Sequence, residues 1–429
     1  MIQQEPSARP ITYHTVTLGA LTREGDALAE FMLSGEDGQP VIHTLPVPAG
    51  LPGEVVTIAV EMPAPRAGKR KRHYKPRPPR VWITELHQPS PLRIDAPCPV
   101  FGVCGGCQLQ HMQYSAQLEW KRAVVDRLLH EVGQFADPPL RETIACDDPW
   151  HYRNHMRFSV NRDGQPGLTA RGTHRVLPLA ACPIAHEQIN RALAVLIRLP
   201  NARPQVLIRC GAATEQMLIQ PTPGEEALAQ LTARGLDIHN ETMEEQLGGQ
   251  TFRIRPSSFF QTNTAQAEKM ARLVLDGLLT GADHPLTFVD AYCGVGTFAL
   301  LLAQRAESVI AIEESPSAIT DAQWNLRAAS NVEIMKGKVE DILPALTRQI
   351  DGLVIDPPRA GCQRSVLDTL AQHPAARIVY VSCDPATLAR DLHILCHIHA
   401  AYRLLSVQPL DMFPHTAHIE CVSVLEHCA

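Results

Sequence analysis

Short apolar runs alternate with amphipathic stretches through the last third of the chain. Thr287-Phe-Val-Asp, Ser308-Val-Ile-Ala-Ile, Leu353-Val-Ile-Asp and Arg377-Ile-Val-Tyr-Val-Ser carry almost nothing polar, as strands buried on both faces do. Residues 297–305, 316–329 and 385–398 have helical period. This alternation predicts an α/β fold with a doubly wound, Rossmann-like sheet. The front of the chain reads differently. His14-Thr-Val-Thr-Leu, Ala27-Leu-Ala-Glu-Phe, Val41-Ile-His-Thr-Leu and Val55-Val-Thr-Ile-Ala-Val are strand-like, and Gly25-Asp26, Gly35, Gly38 and Pro52-Gly53 separate them. That spacing suits a small β-barrel of OB-like kind, with Val81-Trp-Ile-Thr-Glu-Leu as its closing strand. In between come a cysteine cluster at 98–107, a helix from about Ser115 to Glu131, and an α+β region over roughly 150–260 whose helix ends near Leu199. Three domains are expected, at 1–90, 91–255 and 256–429.

At 429 residues and 45% apolar content, the chain can build sizeable cores. It has no run of about 18 apolar residues, and its first residues lack a basic flank leading into an apolar stretch. A cytoplasmic protein without membrane spans is expected. The net charge of −6 excludes a wholly cationic nucleic-acid binder. The charge is uneven, however: Arg66, Lys69, Arg70, Lys71, Arg72, Lys75, Arg77 and Arg80 follow one another with no intervening acid. Twelve cysteines in such a chain point to metal ligation or thiol chemistry rather than disulfides. Cys98, Cys104 and Cys107 have metal-ligand spacing, and Gly105-Gly106 lets the loop close tightly. Spacing alone does not separate zinc from iron–sulfur.

The chemistry concentrates at the carboxyl ends of the late strands. Asp290-Ala-Tyr-Cys-Gly-Val-Gly-Thr leaves a strand and opens a helix, so its glycines bring backbone close to a ligand. Glu313 ends the next strand, where a carboxylate accepts ribose hydroxyls. Gly294, Gly296 and Ala299 also fit a nicotinamide-dinucleotide fingerprint. An acid directly before the loop, Asp290, suits the cationic sulfonium of S-adenosylmethionine better than a pyrophosphate. Asp356-Pro-Pro-Arg then falls where the transferred methyl group would lie. Val381-Ser-Cys383-Asp-Pro closes a strand and starts a helix, with Asp384 as N-cap and Pro385 as first helical residue. The helix N-terminus is expected to favour a Cys383 thiolate. Methylating carbon 5 of a pyrimidine requires such a nucleophile at carbon 6, and then a base to remove the carbon-5 proton. Glu420 is the candidate base, the alternative being a solvated carboxylate on a strand edge.

Cys98-x5-Cys104-Gly-Gly-Cys107, Tyr152-Arg-Asn-His-Met-Arg-Phe-Ser, Ser257-Ser-Phe-Phe-Gln261-Thr-Asn, Asp290-Ala-Tyr-Cys-Gly, Asp356-Pro-Pro-Arg-Ala-Gly, Ser382-Cys-Asp-Pro and His418-Ile-Glu occur in this order. Together they resemble the RNA uracil-C5 methyltransferase family, in particular its members with a TRAM domain and a 4Fe-4S cluster. The resemblance implies that Gln261, Tyr292, Glu313 and Asp356 contact S-adenosylmethionine, with Asp356 also near the target base. It implies Cys383 as nucleophile and Glu420 as proton acceptor. It implies Cys182 as fourth ligand of the cluster, with Cys146 as substitute and zinc as the alternative metal. Thr297 departs from members that carry Asn there, and His43-Thr44 replaces more apolar residues of the TRAM pattern. Beside an RNA-binding barrel, phosphate contact becomes the preferred role of the basic segment 66–80.

The resulting expectation is a monomeric enzyme that makes 5-methyluridine in RNA, ribosomal rather than transfer, by covalent catalysis on a flipped or unpaired base. An amino-group methyltransferase needs no thiol and presents Asn-Pro-Pro-aromatic instead. A nicotinamide oxidoreductase and a catalytically silent RNA-binding or redox-sensing protein are the remaining rivals.

Overall fold

The structure, a computed structural model, describes residues 11–34, 39–62, 79–199, 203–279 and 286–428. Most of the basic run, Arg66 to Arg77, lies outside the described residues. The chain forms two compact units, one of residues 1–117 with 415–417, the other of 118–414 with 418–429.

The first unit is β-rich. β1 (Ile11–Thr17), β4 (Val55–Glu61) and β5 (Arg80–Gln88) form one antiparallel sheet, and β2 (Ala27–Ser34) pairs with β3 (Pro40–Val47) in a hairpin. These are the strands that the early pattern predicts, although the pairing forms two separate sheets among the described residues. Alternation sets the faces: Val56, Ile58 and Val60 of β4 are buried, in step with a period of two. Glu54, directly before β4, is fully buried and accepts from Arg93 Nε and Nη2 at 2.5 and 2.6 Å, Leu51 N at 2.8 Å and Ser90 N at 3.1 Å. Burial alone would raise its pKa, but the Arg93 pair and the two backbone donors bring it below the usual carboxylate value. This clamp ties the strands to the segment that leads into the cysteine loop.

The second unit begins within α1 (Tyr114–Glu131) and holds two larger sheets. β6 (His155–Val160), β7 (Pro166–Thr169), β8 (Val176–Pro178), β9 (Gln205–Cys210), β10 (Gln216–Gln220) and β11 (Asp237–His239) form the first, with α2 (Glu187–Leu196) and α3 (Glu225–Ala233) as its helices. The helix expected near Leu199 is α2, which starts earlier; α3 is an additional one. A hairpin of β12 (Met243–Leu247) and β13 (Gln250–Ile254) and helix α4 (Thr264–Leu279) lead into the last sheet.

That sheet contains β14 (Thr287–Ala291), β15 (Ser308–Glu313), β16 (Val332–Lys336), β17 (Gly352–Ile355) and β18 (Arg377–Ser382). α5 (Thr297–Ala303), α6 (Pro316–Asn325), α7 (Val339–Ile342), α8 (Arg364–Gln372) and α9 (Pro385–His393) connect and follow these strands. β19 (Tyr402–Leu410) and β20 (Glu420–His427) complete it. The strand order is β16-β15-β14-β17-β18-β20-β19, with β20 antiparallel to both neighbours and the first five strands parallel. The expected doubly wound sheet is therefore present. The helix over 385–398 is α9 continued by a π-helical turn at Ile394–Ile398.

Neighbouring strand residues face opposite cores. Val289, Leu353, Ile378 and Tyr380 pack with Leu367, Leu388, Leu392 and Leu129, whereas Phe288, Val354, Val379 and Val381 pack with Met270, Val274 and Leu302. Chain order reverses between β14 and β17, which opens a crevice at their carboxyl ends where doubly wound sheets bind ligands.

The loop from β19 to β20 is tied down by buried polar bonds. Lys121 of α1 and Asp411 are both fully buried and meet at 2.5 Å, and Lys121 Nζ also donates to Phe413 O. Gln266 donates to Asp411 O, Asn263 to Met412 O, and Tyr152 Oη to Pro414 O. Lys121→Met should destabilise the protein by about 3–5 kcal/mol, because it strands the Asp411 charge away from water. Urea unfolding of the variant against wild type measures this, and Lys121→Met with Asp411→Leu should recover most of the loss.

Candidate active site

A cleft of about 460 Å³ opens at the switch point, walled by Leu247, Phe259, Gln261, Tyr292, Gly294, Thr297 and Asp356 among others. Gln261, Tyr292 and Asp356, three of the four residues expected at the cofactor, thus share one wall. Glu313, the fourth, reaches the same loop: its Oε2 accepts from Gly294 N at 2.9 Å and its Oε1 from Ser315 N at 2.6 Å. Each oxygen keeps a lone pair for a further donor such as a ribose hydroxyl. Gly294 has φ of +57° and open space where a side chain would sit, so backbone is presented directly to the cleft. Thr297 lines the cleft and starts α5.

The charge of this cleft says what it suits. Asp290 is fully buried, donates nothing, and accepts from Ala299 N at 2.7 Å through Oδ2, while its Oδ1 has no partner among the described residues. Burial first, then the neighbouring Asp356 and Glu313 carboxylates, hold its carboxyl well above the usual range. Burial raises Asp356 to about 7. A buried carboxyl raised by two neighbouring carboxylates marks an acidic surrounding, which fits a cationic ligand and disfavours a pyrophosphate.

The Asp356 shift has a consequence for stability. Its folded pKa lies above its unfolded value, so its favourable contribution is complete below the unfolded pKa and is lost as pH rises through about 7. Asp356→Asn should therefore melt higher than wild type at about pH 8 without ligand, and the difference should vanish at about pH 4. Thermal unfolding at both pH values tests it.

Cys383 follows β18 and precedes α9. The expected caps are present: Asp384 accepts from Ala386 N and Thr387 N at 2.9 and 3.2 Å, and Pro385 is the first helical residue. The expected thiolate stabilisation is not. The Asp384 carboxylate already takes the free helix donors, and burial, then the Glu420 and Asp356 carboxylates, raise the thiol to about 11, against the opposing pull of Arg359. Without ligands, Cys383 is held as a thiol.

β20 brings Glu420 to Cys383. Ser382 pairs with Cys421 across the antiparallel ladder, so the next step of the register sets Cys383 opposite Glu420. Glu420 is 4% exposed, which removes the reading of a solvated strand-edge carboxylate. Burial first, then Asp356, keep its carboxyl well above the usual range, with Arg359 acting the other way. Cys383, Glu420, Asp356 and Arg359 form one electrostatically coupled group.

Arg359 is a site residue that sequence reasoning passes over, although it stands in the Asp356-Pro-Pro-Arg motif. Its backbone is set by α9: Thr387 Oγ1 donates to Arg359 O at 3.2 Å, and Arg390 Nη2 donates to Ala360 O at 2.9 Å. Asp391, fully buried, accepts from Cys362 N and Tyr380 Oη at 2.8 and 2.7 Å. Gly361 has φ of +76°, and a Cβ there would strike Arg390 and Asp391. The Tyr152-Arg-Asn motif has a comparable duty. Asn154 Nδ2 donates to Gln261 O and Thr264 Oγ1 at 3.2 and 3.0 Å, fixing the segment that presents Gln261.

Cys98, Cys104 and Cys107 lie in the first unit, with Cys104 buried and its Sγ accepting from Gly106 N at 3.4 Å. Burial raises the Cys104 thiol, and the nearby Cys98 raises it further. Cys182 and Cys146 are buried residues of the second unit; Cys146 donates to Asp148 O and accepts from Asn263. Among the described residues, no three His, Cys, Asp or Glu side chains converge as a metal-binding group. No described helix is long and apolar enough to cross a membrane.

A family model described as tRNA (uracil-5-)-methyltransferase matches residues 229–428, which hold the cleft, Cys383 and Glu420. An uncharacterized RNA methyltransferase of Gloeobacter violaceus is 37% identical, covering 87% of this chain and 92% of its own length. A second, from Halalkalibacterium halodurans, is 34% identical and covers 96% of each chain. The solved tRNA (uracil-54, C5)-methyltransferase of Pyrococcus abyssi, in complex with S-adenosyl-L-homocysteine, shares the fold: TM-score 0.69, 24% identity, 96% of this chain and 99% of that one. On these relatives and the matched catalytic region, the chain belongs to the RNA (uracil-5-)-methyltransferase family, whose members are S-adenosylmethionine-dependent transferases.

Proposed function

We propose that this protein methylates carbon 5 of a uridine in RNA through a covalent Cys383 adduct. The observation that carries the proposal is the coupled group of Cys383, Glu420, Asp356 and Arg359 beside a cleft rich in carboxyls. Gln261, Tyr292, Glu313 and Asp356 would hold S-adenosylmethionine, which supplies an electrophilic methyl group. The cleft fits it: Asp290 has an unmet buried oxygen, Gly294 leaves room, and the clustered carboxyls, whose ionisation a nearby cation would favour, suit a sulfonium.

In this mechanism Cys383 loses its proton to solvent and Sγ bonds to uracil carbon 6, with Glu420 standing by as the carboxylate. The carbon 5–carbon 6 π electrons move toward O4 as an enolate. Carbon 5 takes the methyl group, and the electron pair of the broken bond stays with the departing sulfur. Glu420 then accepts the carbon-5 proton, the double bond re-forms, and Cys383 leaves. Positive charge from Arg359 and from the bound sulfonium offsets the field that keeps Cys383 and Glu420 protonated in the empty site.

The β-rich first unit and its cysteine loop support an RNA-binding TRAM role and a 4Fe-4S cluster on Cys98, Cys104 and Cys107. Soft thiol donors, the Gly105-Gly106 turn and the Gly106 N–H on Cys104 sulfur suit such a group. Cys182 as fourth ligand rests on the family resemblance alone. The cluster takes no part in the steps above. Iron and zinc content of anaerobically purified protein, with Cys104→Ser as control, decides between the metals.

Ribosomal RNA is our preferred substrate, by the likeness to cluster-bearing family members. The description of the matching family model names tRNA and favours the second reading. Incubation with labelled S-adenosylmethionine and unmodified total RNA, followed by nucleoside analysis and RNA fractionation, tests both. Label in 5-methyluridine supports the reaction, and its size fraction identifies the substrate. Absence of label with every RNA would leave a silent RNA-binding protein.

A further inference from the structure

Outside the cleft, one solvent-facing cluster has an arrangement that the reaction does not use. Trp324, near the end of α6, is 40% exposed. The guanidinium carbons of Arg253 on β13 and Arg327 after α6 lie 4.1 and 4.0 Å from its ring centroid. Neither arginine has a carboxylate partner among the described residues, and no guanidinium N–H of Arg253 has an acceptor there. Arg327 Nη1 donates to Trp324 O at 2.7 Å, which leaves its other nitrogens available. Two cations are thus held on one indole in a chain whose net charge is −6.

The cluster is also joined to the cofactor cleft. Asn325 Nδ2 donates to Val295 O at 2.9 Å and to Arg253 O at 3.2 Å, and its Oδ1 accepts from Arg253 N at 2.8 Å. Val295 is part of the cleft wall.

We infer that Arg253, Trp324 and Arg327 form a phosphate-docking patch for the backbone of the RNA substrate, a role that rests on the RNA-methylating reading above. Stacking on the indole fixes both guanidinium groups beforehand, so less side-chain freedom is lost when they bind phosphate oxygens in pairs. An unpaired cation on a mostly anionic protein attracts a polyanion, and contacts to phosphate position a substrate without reading its sequence.

The test measures affinity of the full-length protein for a single-stranded uridylate 20-mer as salt is varied. Arg253→Gln with Arg327→Gln should weaken binding roughly tenfold at about 0.1 M salt and reduce the log–log salt slope by about 1.4, since each single-strand phosphate contact contributes about 0.7. Arg327→Glu, which alters only an exposed side chain, should weaken binding further, while affinity for S-adenosylhomocysteine and the melting temperature stay as in wild type. An unchanged salt slope in both variants overturns the patch, even if wild type makes 5-methyluridine. If the slope falls as expected but wild type makes no 5-methyluridine, the patch stands and the catalytic reading fails.

Discussion

Cys383→Ala should abolish 5-methyluridine formation, a loss of about 10⁴-fold or more, with affinity for S-adenosylhomocysteine unchanged. The size of the effect follows from the chemistry. Carbon 5 of uracil becomes nucleophilic only after something adds to carbon 6, and among the described residues no other thiol is coupled to both Glu420 and Asp356, the fully buried Cys421 feeling Glu420 alone. The cleft is lined by residues of β12, 259–261, α4 and 292–298 and by Asp356, and Cys383 is not part of that lining, so removing its sulfur leaves the cleft intact. The thiol itself should behave in a recognisable way. With its pKa at about 11, alkylation of Cys383 by iodoacetamide should accelerate about tenfold per pH unit between roughly pH 7 and 9, read as the difference between wild type and Cys383→Ala. Adding S-adenosylmethionine should shift this profile to lower pH. A flat profile would mean that the thiolate already exists in the free protein, and that the surrounding carboxylates do not control it.

Glu420→Gln should stall the reaction later, with the RNA attached to the protein. Attack by Cys383 and uptake of the methyl group do not need this carboxylate, whereas release does, because the carbon-5 proton must leave before the carbon–sulfur bond can break. A denaturing gel should show a slowly migrating protein–RNA species that carries the methyl label, and free 5-methyluridine should drop by about 10²–10⁴-fold. The double variant Cys383→Ala with Glu420→Gln should lose that species. If Glu420→Gln released methylated RNA at the wild-type rate, the base would be another group, and Asp356 would be next in line.

Much of this site can be read along the chain because its parts close buried strands. Apolar runs such as Ser308–Ile312 admit few other readings, and the residue that ends each run, Glu313 or Asp356, necessarily falls at the ligand-binding edge. What the sequence hides depends on partners far away. Glu420 has the look of an exposed carboxylate because its burial is imposed by β18 and β19, which flank it from positions some distance back in the chain. Strands β19 and β20 are themselves hard to recognise: Pro409 interrupts the first, a register shift falls between Leu404 and Ser406, and polar residues are buried in both. The local rule for Cys383 fails for a related reason. A helix N-terminus does favour a thiolate, but Asp384 occupies its donors and two carboxylates from other strands outweigh it. Arg359 counts for little on its own; the bonds from Thr387 and Arg390 of α9 give it a fixed place.

The position of β20 also imposes an order on biosynthesis. Ribosomes release the chain from its front, and elements dock as their partners emerge. Strands β14 to β18 are made in sequence, whereas β19, bonded on one edge to the early segment 139–144, joins the sheet only when β20 slides in between it and β18. On the proposed mechanism, a nascent chain therefore completes the cleft for a methyl donor before it receives Glu420, the proposed base. In that interval the proposed nucleophile, Cys383, stands without its proposed base. Until β20 arrives, neither the Glu420 carboxylate nor the cover of that strand acts on Cys383, so the raised pKa of the thiol belongs to the completed sheet.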